Sequence, residues 1–229
     1  MQYIQLTGGT NQVVGNWFDG RNRGDYFVNL KGGAITTMRN NILFDDNRLF
    51  SNIPGYGSAA RDGATAIRIQ ADAGLTKILN NTISDIFQGI EVVGSPVGVE
   101  IRGNIHTGVL HPNWSVNTTY AGVVIADNNF RYAINGGVQT NNISSDPLFG
   151  ASFVLGATSP SKKKGPADAI YNNFDGSRND QGAYGGHSYD PNGRTTTKPV
   201  VLSGDVSPLY VKRGQAVTIS ARAAVVANP

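Results

Sequence analysis

Short stretches in which apolar and polar residues alternate recur along the chain. They lie at residues 26–30, 66–70, 89–93 and 122–125. Alternation with a period of two residues predicts β-strands that bury one face. Ile67 and Ile69 recur as Ile90 and Val92 at an offset of 23 residues, which predicts a structural repeat rather than unrelated strands.

A second stretch follows the alternating ones and runs from an aliphatic residue through Asn or Asn-Asn to Ile or Phe. It lies at residues 38–42, 78–83, 101–105, 125–130 and, in a degenerate form, 138–143. Two short strands in each repeat predict one turn, or rung, of a solenoid, because a rung buries its apolar face only by stacking on its neighbours. The register predicts one continuous core formed by Ile67, Ile69, Ile78, Ile90, Val92, Val99, Ile101, Val123 and Ile125.

The Asn residues of this second stretch keep the same register. Asn81, Asn104 and Asn128 are separated by 23 and 24 residues. Asn adopts left-handed backbone conformations easily and bonds within its own turn, so ordinary surface turns are one interpretation. The regular offset favours another interpretation, in which buried amides bond one another in a ladder along the stack.

Composition favours strands and turns and excludes several classes of protein. Charged residues make up only 15% of the chain, and 29 of its 229 residues are Gly, which disfavours helices. The absence of cysteine excludes disulfides, thiolate metal sites and a Cys nucleophile. The net charge of +3 comes partly from the run 162–164, so nucleic-acid binding is not expected. No apolar stretch is long enough to predict a membrane span.

The repeat resembles that of a known family. Gly-Ile-x-Val at 89–92, followed by Val-x-Ile-x-x-Asn-Ile at 99–105, looks like the parallel β-helix repeat of pectate-lyase-like proteins. Residues 143–149 and 175–186 are similar to the closing segment of many bacterial right-handed β-helix exoproteins. The resemblance covers roughly residues 20–186 and implies a secreted or cell-surface protein, although no signal peptide is visible at Met1.

Together the repeat and the resemblance predict an all-β protein, a right-handed parallel β-helix with a short C-terminal β segment. The β-helix is expected over residues 1–186. Residues 187–198 are rich in Pro, Gly and Thr and predict a linker. Residues 199–229 alternate again and predict either part of an immunoglobulin-like module or strands that dock onto the helix, because a complete sandwich takes about 100 residues.

Two long interruptions leave the repeat at the same step, just after the Asn-containing stretch. The first covers residues 45–63 and the second residues 106–119. Insertions at one step of a solenoid emerge on the same side, so their roots are expected two rungs, or about 10 Å, apart. Long loops in compact folds are often functional.

Acidic, basic and aromatic residues in these insertions predict a polysaccharide site. Carboxylates serve as general acid and base in glycoside hydrolysis, and Arg or His can abstract a proton in β-elimination. The candidate catalytic residues are therefore Asp46, Arg48, Arg61 and His106. Aromatic rings offer flat faces to sugars, and the candidate substrate-binding residues are Tyr56, Trp114 and Tyr120.

Structural roles compete with these chemical ones. The adjacent residues Asp45 and Asp46 would point to opposite faces of a strand, which favours a turn or cap over a catalytic pair. Arg68 and Glu91 occupy equivalent outward positions of consecutive rungs and predict a cross-rung ion pair.

The metal-binding signals are weak. His106 and His111 in one loop do not form a recognised ligand set, so no metal site is predicted. The 175–180 loop offers oxygen ligands for calcium, but the set is incomplete. A tight turn is favoured there, and calcium stays a candidate cofactor.

The sequence therefore predicts an extracellular protein that acts on or binds polysaccharide, as a lyase or a glycoside hydrolase if it is an enzyme. The alternatives are a non-catalytic surface protein, either a spacer or an adhesin, and a fragment of a larger enzyme. Neither the sugar polymer nor the oligomeric state follows from the residues.

Overall fold

Three parallel sheets form the body of the protein. A computed structural model describes residues 2–19, 26–44, 64–108, 114–173, 176–186, 200–207 and 218–224. Sheet A consists of β1 (Gln2–Thr7), β4 (Tyr26–Lys31), β7 (Thr65–Ile69), β10 (Gln88–Val92), β13 (Trp114–Thr118) and β16 (Ala133–Asn135). Sheet B consists of β2 (Thr10–Val14), β5 (Ile35–Arg39), β8 (Thr76–Leu79), β11 (Val99–Arg102), β14 (Val123–Ala126) and β17 (Val138–Thr140). Sheet C consists of β3 (Trp17–Asp19), β6 (Ile42–Phe44), β9 (Thr82–Ser84), β12 (Ile105–Thr107) and β15 (Asn129–Phe130).

Each of the first five rungs contains three strands, one in each sheet, and not the two that the repeat predicts, whereas the last rung has β16 and β17 alone among the described strands. The additional strand is the short one of sheet C, which begins just after the Asn of the second stretch. The residue before that Asn has a left-handed backbone, which bends the chain out of sheet B. The bending residues are Gly15, Asn40, Asn80, Gly103, Asp127 and Asn141, with φ between 51° and 68°.

The predicted core is confirmed. All nine residues expected inside the solenoid belong to one cluster and are at most 3% exposed. Ile67 pairs with Ile90, and Ile101 pairs with Ile78 and Ile125, in parallel register. The described chain is therefore a parallel β-helix, as the sequence predicts.

The asparagine ladder is confirmed and is longer than predicted. Each side-chain Nδ2 donates to the Oδ1 of the ladder Asn on the next rung at 2.8–3.1 Å. The backbone N–H of the same residue donates to the same oxygen. The ladder runs through Asn16, Asn41, Asn81, Asn104, Asn128 and Asn142. Buried polar groups are thus satisfied continuously at the corner between sheets B and C.

A C-terminal strap, described at residues 159–173 and 176–186, runs back along this same corner. Near its end, Gln181 Nε2 donates to Asp127 O at 2.7 Å and Gly182 N donates to Gly103 O at 2.7 Å. Further on, Asn40 Nδ2 donates to Ala183 O at 3.0 Å and to Gly185 O at 2.8 Å. The strap therefore links the fifth rung back to the second and bonds to the side chains and carbonyls of the bending residues.

The outer side of sheet C is covered by apolar residues from the C-terminal part of the chain. Ile42 is only 5% exposed and clusters with Ala183 and Tyr184. A second group consists of aromatic rings with centroids 5.4–5.8 Å apart, formed by Trp17, Phe44, Phe149 and Phe153. Contacts among these partly exposed rings hold the segment before the strap against the sheet.

The C-terminal β segment contains a two-stranded antiparallel sheet, β18 (Val200–Ser207) with β19 (Thr218–Ala224). The linker expected at 187–198 lies outside the described residues. Whether the segment belongs to an immunoglobulin-like module or docks onto the β-helix stays a prediction. In the described part of the chain, no helix has the length and apolar character that crossing a membrane requires.

Candidate functional site

The corner at which sheet C leads into sheet A carries the longest connection of the stack, residues 45–63. Residues 20–25, 45–63 and 109–113 each lie between a strand of sheet C and the next strand of sheet A. At their roots, Phe44 pairs with Ser84 and Ser84 pairs with Thr107. The roots of the two predicted insertions are thus two strands apart at one corner, about 10 Å at the usual strand spacing.

The extent of the second insertion differs from the prediction. Residues 105–107 and 114–118 are strands of the rungs, so only the residues between them connect the two sheets. Four of the predicted site residues, Asp46, Arg48, Arg61 and Tyr56, lie outside the described residues, as does His111. Of the predicted set, the structure therefore describes His106, Trp114 and Tyr120.

His106 points into the core and not into a loop. It lies in the inward column of sheet C, paired with Ile83 on one side and Phe130 on the other. Its side chain is fully buried, and its ring stands edge-on to Tyr132 with centroids 5.2 Å apart. This position corrects the prediction that His106 belongs to the exposed second insertion. The cause is the period of two in β12, which directs every second side chain inward.

Both ring nitrogens of His106 have partners inside the protein. Nε2 lies 3.1 Å from the carbonyl oxygen of Ile86, which can only accept, so Nε2 carries the proton. Nδ1 lies 3.1 Å from Ser115 Oγ and accepts its hydroxyl proton. Burial lowers the pKa of His106 to about 4, against a smaller raising effect of the Ile86 hydrogen bond. The imidazole is thus neutral near pH 7 and acts as a core hydrogen-bonding group.

The two described aromatic candidates lie at opposite ends of one strand. Trp114 begins β13, directly after the 109–113 connection, and is half-buried. Tyr120 follows the other end of β13, at the corner between sheets A and B, and packs against the core. Trp114 therefore lies at the corner with the insertions, and Tyr120 does not join it there.

A polar row crosses the outer face of sheet A. The row contains one residue per strand in parallel register, namely Gln5, Asn29, Arg68, Glu91, Asn117 and Asn135. A second row at the strand starts contains Tyr26, Thr65, Gln88 and Trp114. Within the polar row, Asn135 Nδ2 donates to Asn117 Oδ1 at 2.9 Å. Asn29 and Thr65 are only 3% exposed, so this face presents the amide, charged and aromatic groups of its other residues beside the corner that carries the insertions.

Arg68 is the centre of this face. Its Nη1 lies 3.2 Å from Glu91 Oε2, which confirms the predicted cross-rung ion pair. The same guanidinium lies over the ring of Tyr26, 4.7 Å from the centroid, and donates to the Tyr26 hydroxyl. Arg68 Nε and the Gln88 amide nitrogen are buried without a hydrogen-bond partner among the described residues. We call the set Tyr26, Arg68, Gln88, Glu91 and Trp114 the sheet A face.

The sequence interpretation missed most of the sheet A face, because it assigned Arg68 and Glu91 to structure alone. Tyr26 and Arg68 are separated by 42 residues along the chain. The 45–63 insertion between them hides their common register. The sequence does contain one signal of this row. The residue directly before Leu30, Ile69 and Val92 occupies an outward position, and it is polar or charged in each repeat.

Metal ligation finds little support in the described ranges. They contain no group of three or more His, Asp or Glu residues placed to hold a metal ion. In the loop considered for calcium, Gly176 N donates to Asn173 O at 2.8 Å and Asn173 N donates to Ser177 O at 2.9 Å. These bonds join Asn173 to Gly176 and Ser177, and because residues 174–175 lie outside the described residues, the tight turn that the sequence favours stays a prediction.

Comparison with known proteins finds no relative of this chain. No protein family, no curated protein and no solved structure matches it.

Proposed function

We propose that the protein binds polysaccharide along the outer face of sheet A, as a secreted or cell-surface β-helix of the pectate-lyase-like type. The observation that carries the proposal is the polar row in parallel register, next to Tyr26 and Trp114 at the strand starts. Parallel strands repeat at about 4.8 Å, so the row offers similar groups at a short regular interval. A polymer of repeating hydroxylated units matches such a surface.

The chemistry of the sheet A face supports a sugar ligand. Trp114 offers a flat apolar ring with a polar edge, which suits the face of a sugar ring, while Tyr26 holds the Arg68 guanidinium in place. Arg68 and Glu91 supply a donor and an acceptor on neighbouring strands. The unpartnered Gln88 amide nitrogen is a further donor that a ligand hydroxyl would satisfy after a small side-chain shift.

Binding is favoured over catalysis by the position of His106. It is the only member of the predicted catalytic set that the structure describes, and its imidazole is fully buried with both nitrogens bonded. Lyase or hydrolase activity would depend on Asp46, Arg48 and Arg61. These residues belong to the 45–63 insertion, which comes directly before β7 of sheet A in the sequence. A spacer or adhesin that only displays loops would not need the aligned polar row.

The test is a panel of acidic and neutral polysaccharides, with binding followed by affinity electrophoresis. Trp114→Ala should weaken retention by about tenfold, because a stacked aromatic ring is lost. Arg61→Ala tests whether the insertion takes part. Trp17→Ala is the matched control, since Trp17 packs against Phe44 and Phe153 outside sheet C.

The reaction products distinguish a lyase, a hydrolase and a binding protein without catalysis. Unsaturated products that absorb in the ultraviolet would identify a lyase, and new reducing ends alone would identify a hydrolase. Retention without products would identify a binding protein. If the folded parent bound none of the panel, or if Trp17→Ala weakened retention as much as Trp114→Ala, the proposal would be wrong and a structural role would replace it.

A further inference from the structure

The charges of the polar row on sheet A compensate one another. Arg68 and Glu91 are the two charged residues of the row, and their side chains lie 3.2 Å apart on neighbouring strands. The Arg68 guanidinium also lies over the Tyr26 ring and donates to its hydroxyl. Because opposite charges in contact cancel each other's field at a distance, Arg68 offers little net attraction to an anionic ligand.

The residues around this row are balanced in charge as well. At the corner between sheets A and B, Lys31 and Asp72 belong to neighbouring rungs and carry opposite charges. Where sheet C leads into sheet A, four Arg, four Asp and one His lie in the connections 20–25, 45–63 and 109–113. The short connections at the same corner add one residue of each sign, Asp85 and Arg131. The sequence around the row therefore has no excess of positive charge to attract a polyanion.

Amide groups form most of the polar row and supply both donors and acceptors. Gln5 and Asn135 are exposed, and Asn117 is half-buried. Asn135 Nδ2 donates to Asn117 Oδ1 at 2.9 Å. Beside the row, Gln70 Nε2 donates to the buried Asn29 Oδ1 at 3.2 Å. A sugar hydroxyl both donates and accepts, so it matches either end of an amide, whereas a carboxylate only accepts.

We propose that the polymer bound by the sheet A face is neutral, a chain of sugars with hydroxyl groups but without carboxylate, sulfate or phosphate. This inference rests on the function proposed above and names the class of its ligand. Amides of the polar row bond the hydroxyls, and the Trp114 ring stacks on a sugar face. Glu91 disfavours polyanions, because it neutralises Arg68 and repels a carboxylate placed beside it.

Biolayer interferometry of the full chain tests the proposal with pairs of immobilised polymers that share a backbone and differ in charge. One pair is hydroxyethyl cellulose and carboxymethyl cellulose, and the other is methyl-esterified and de-esterified homogalacturonan. Binding is scored as the part that Trp114→Ala removes, so that contacts of a polyanion elsewhere on this basic chain do not count. We expect the neutral member of at least one pair to bind about fivefold more tightly than the acidic member. Raising the salt from about 0.05 M to about 0.5 M should change the neutral affinity by less than about twofold.

Glu91→Gln tests the physical cause. It leaves the Arg68 charge without its carboxylate partner, so the acidic member of the pair should bind about fivefold more tightly than it binds the parent. Glu100→Gln is the matched control, because Glu100 pairs with Lys77 and Arg102 on sheet B and its loss changes the net charge equally. This control should leave the affinity for both polymers unchanged.

Three results would overturn the proposal. If the acidic member bound as tightly as the neutral one in both pairs, polysaccharide binding would stand and its neutral class would be wrong. If Glu91→Gln and Glu100→Gln tightened acidic binding equally, the Arg68–Glu91 pair would not be the cause. If no member of either pair bound, this inference would fail, and the wider polysaccharide panel would decide separately whether the function proposed above fails with it.

Discussion

Each corner between sheets B and C uses two adjacent residues in two different ways. At the third rung, Asn80 has a left-handed backbone with φ of 51° and turns its amide to the strap. Asn81 follows it, is fully buried and joins the ladder. Gly103 and Asp127 take the bending role before Asn104 and Asn128. The Asn-Asn pairs in the sequence therefore combine a turn residue with a ladder residue.

Asn104→Ala should destabilise the fold by about 1–3 kcal/mol, because buried partners would lose their hydrogen bonds. Its Nδ2 donates to Ile78 O, Arg102 O and Asn128 Oδ1, and its Oδ1 accepts from Asn81. Chemical denaturation measures the change. Asn135→Ala, at an exposed Asn of the last rung, is the control and should change stability by less than about 0.5 kcal/mol. Equal midpoints for Asn104→Ala and the parent would contradict the ladder.

His106 should make the fold sensitive to acid. Its folded-state pKa of about 4 is below the ordinary value of 6.5, so the unfolded chain binds the proton more tightly. The stabilisation is complete above pH 6.5 and is lost as the pH falls towards 4, by up to about 3 kcal/mol. The measurement is the unfolding free energy at pH 7 and pH 4.5.

The double variant His106→Leu with Ser115→Ala is the comparison for this prediction. It removes the titrating ring and the hydroxyl that would otherwise lose its partner, and it leaves an aliphatic residue between Ile83 and Phe130. Its stability should fall less between the two pH values than that of the parent. Identical losses in both proteins would show that other groups cause the acid sensitivity.

At the scale of elements, the strap stabilises corners that the rungs leave unfinished. The bending residues direct amides and carbonyls outward, where the rung has no further partner for them. Asn179 and Gln181 are at most 1% exposed and bond to Asn80 and Asp127. The strap therefore supplies hydrogen-bond partners to the B-to-C corner, as the next rung supplies them to the edge of a sheet.

Asn179→Ala should loosen the strap over the third and fourth rungs. Asn80 and the Tyr171 carbonyl would each lose a buried partner, at a cost of about 1–3 kcal/mol. Amide hydrogen exchange gives the local measurement, since Gly182 N–H bonds to Gly103 O and should exchange faster. Asn172→Ala is the control, because the Asn172 side chain is exposed and donates to the exposed Gly176 carbonyl. Unchanged exchange at Gly182 would contradict the role of Asn179.

At the scale of the whole molecule, the C-terminal part of the chain differs in its contacts with the three sheets. Residues after the last rung cover apolar groups outside sheet C and bond along the B-to-C corner. The outer residues of sheet A bond instead to one another across the strands. Among the described residues, this asymmetry supports the proposal that polysaccharide binds at the sheet A face.

Two truncations separate the strap from the C-terminal β segment. A protein of residues 1–186 should fold and stay soluble, because the strap is intact. A protein of residues 1–144 should be strongly destabilised, since Ile42 and Phe44 lose their cover and Asn40 and Asn80 lose strap partners. Thermal unfolding and size-exclusion chromatography give the comparison. Collapse of the 1–186 protein would show that the residues after 186 cap exposed strand edges.

The sequence by itself determined the solenoid, its core and the asparagine ladder. These features depend on contacts between equivalent residues of neighbouring rungs, so an offset of 23 or 24 residues reveals them directly. The Arg68–Glu91 pair follows from the same rule. Even the common corner of the two insertions follows, because insertions at one step of a repeat must share a side.

The tertiary structure alone decided the third strand, the inward direction of His106 and the strap. The strand of sheet C is at most three residues long, too short for alternation to show which side chains face inward. The strap contacts residues about 100 positions away, as between Asn80 and Asn179, and no repeat relates them. Contacts between non-equivalent residues leave no periodic signal, so only the folded chain reveals them.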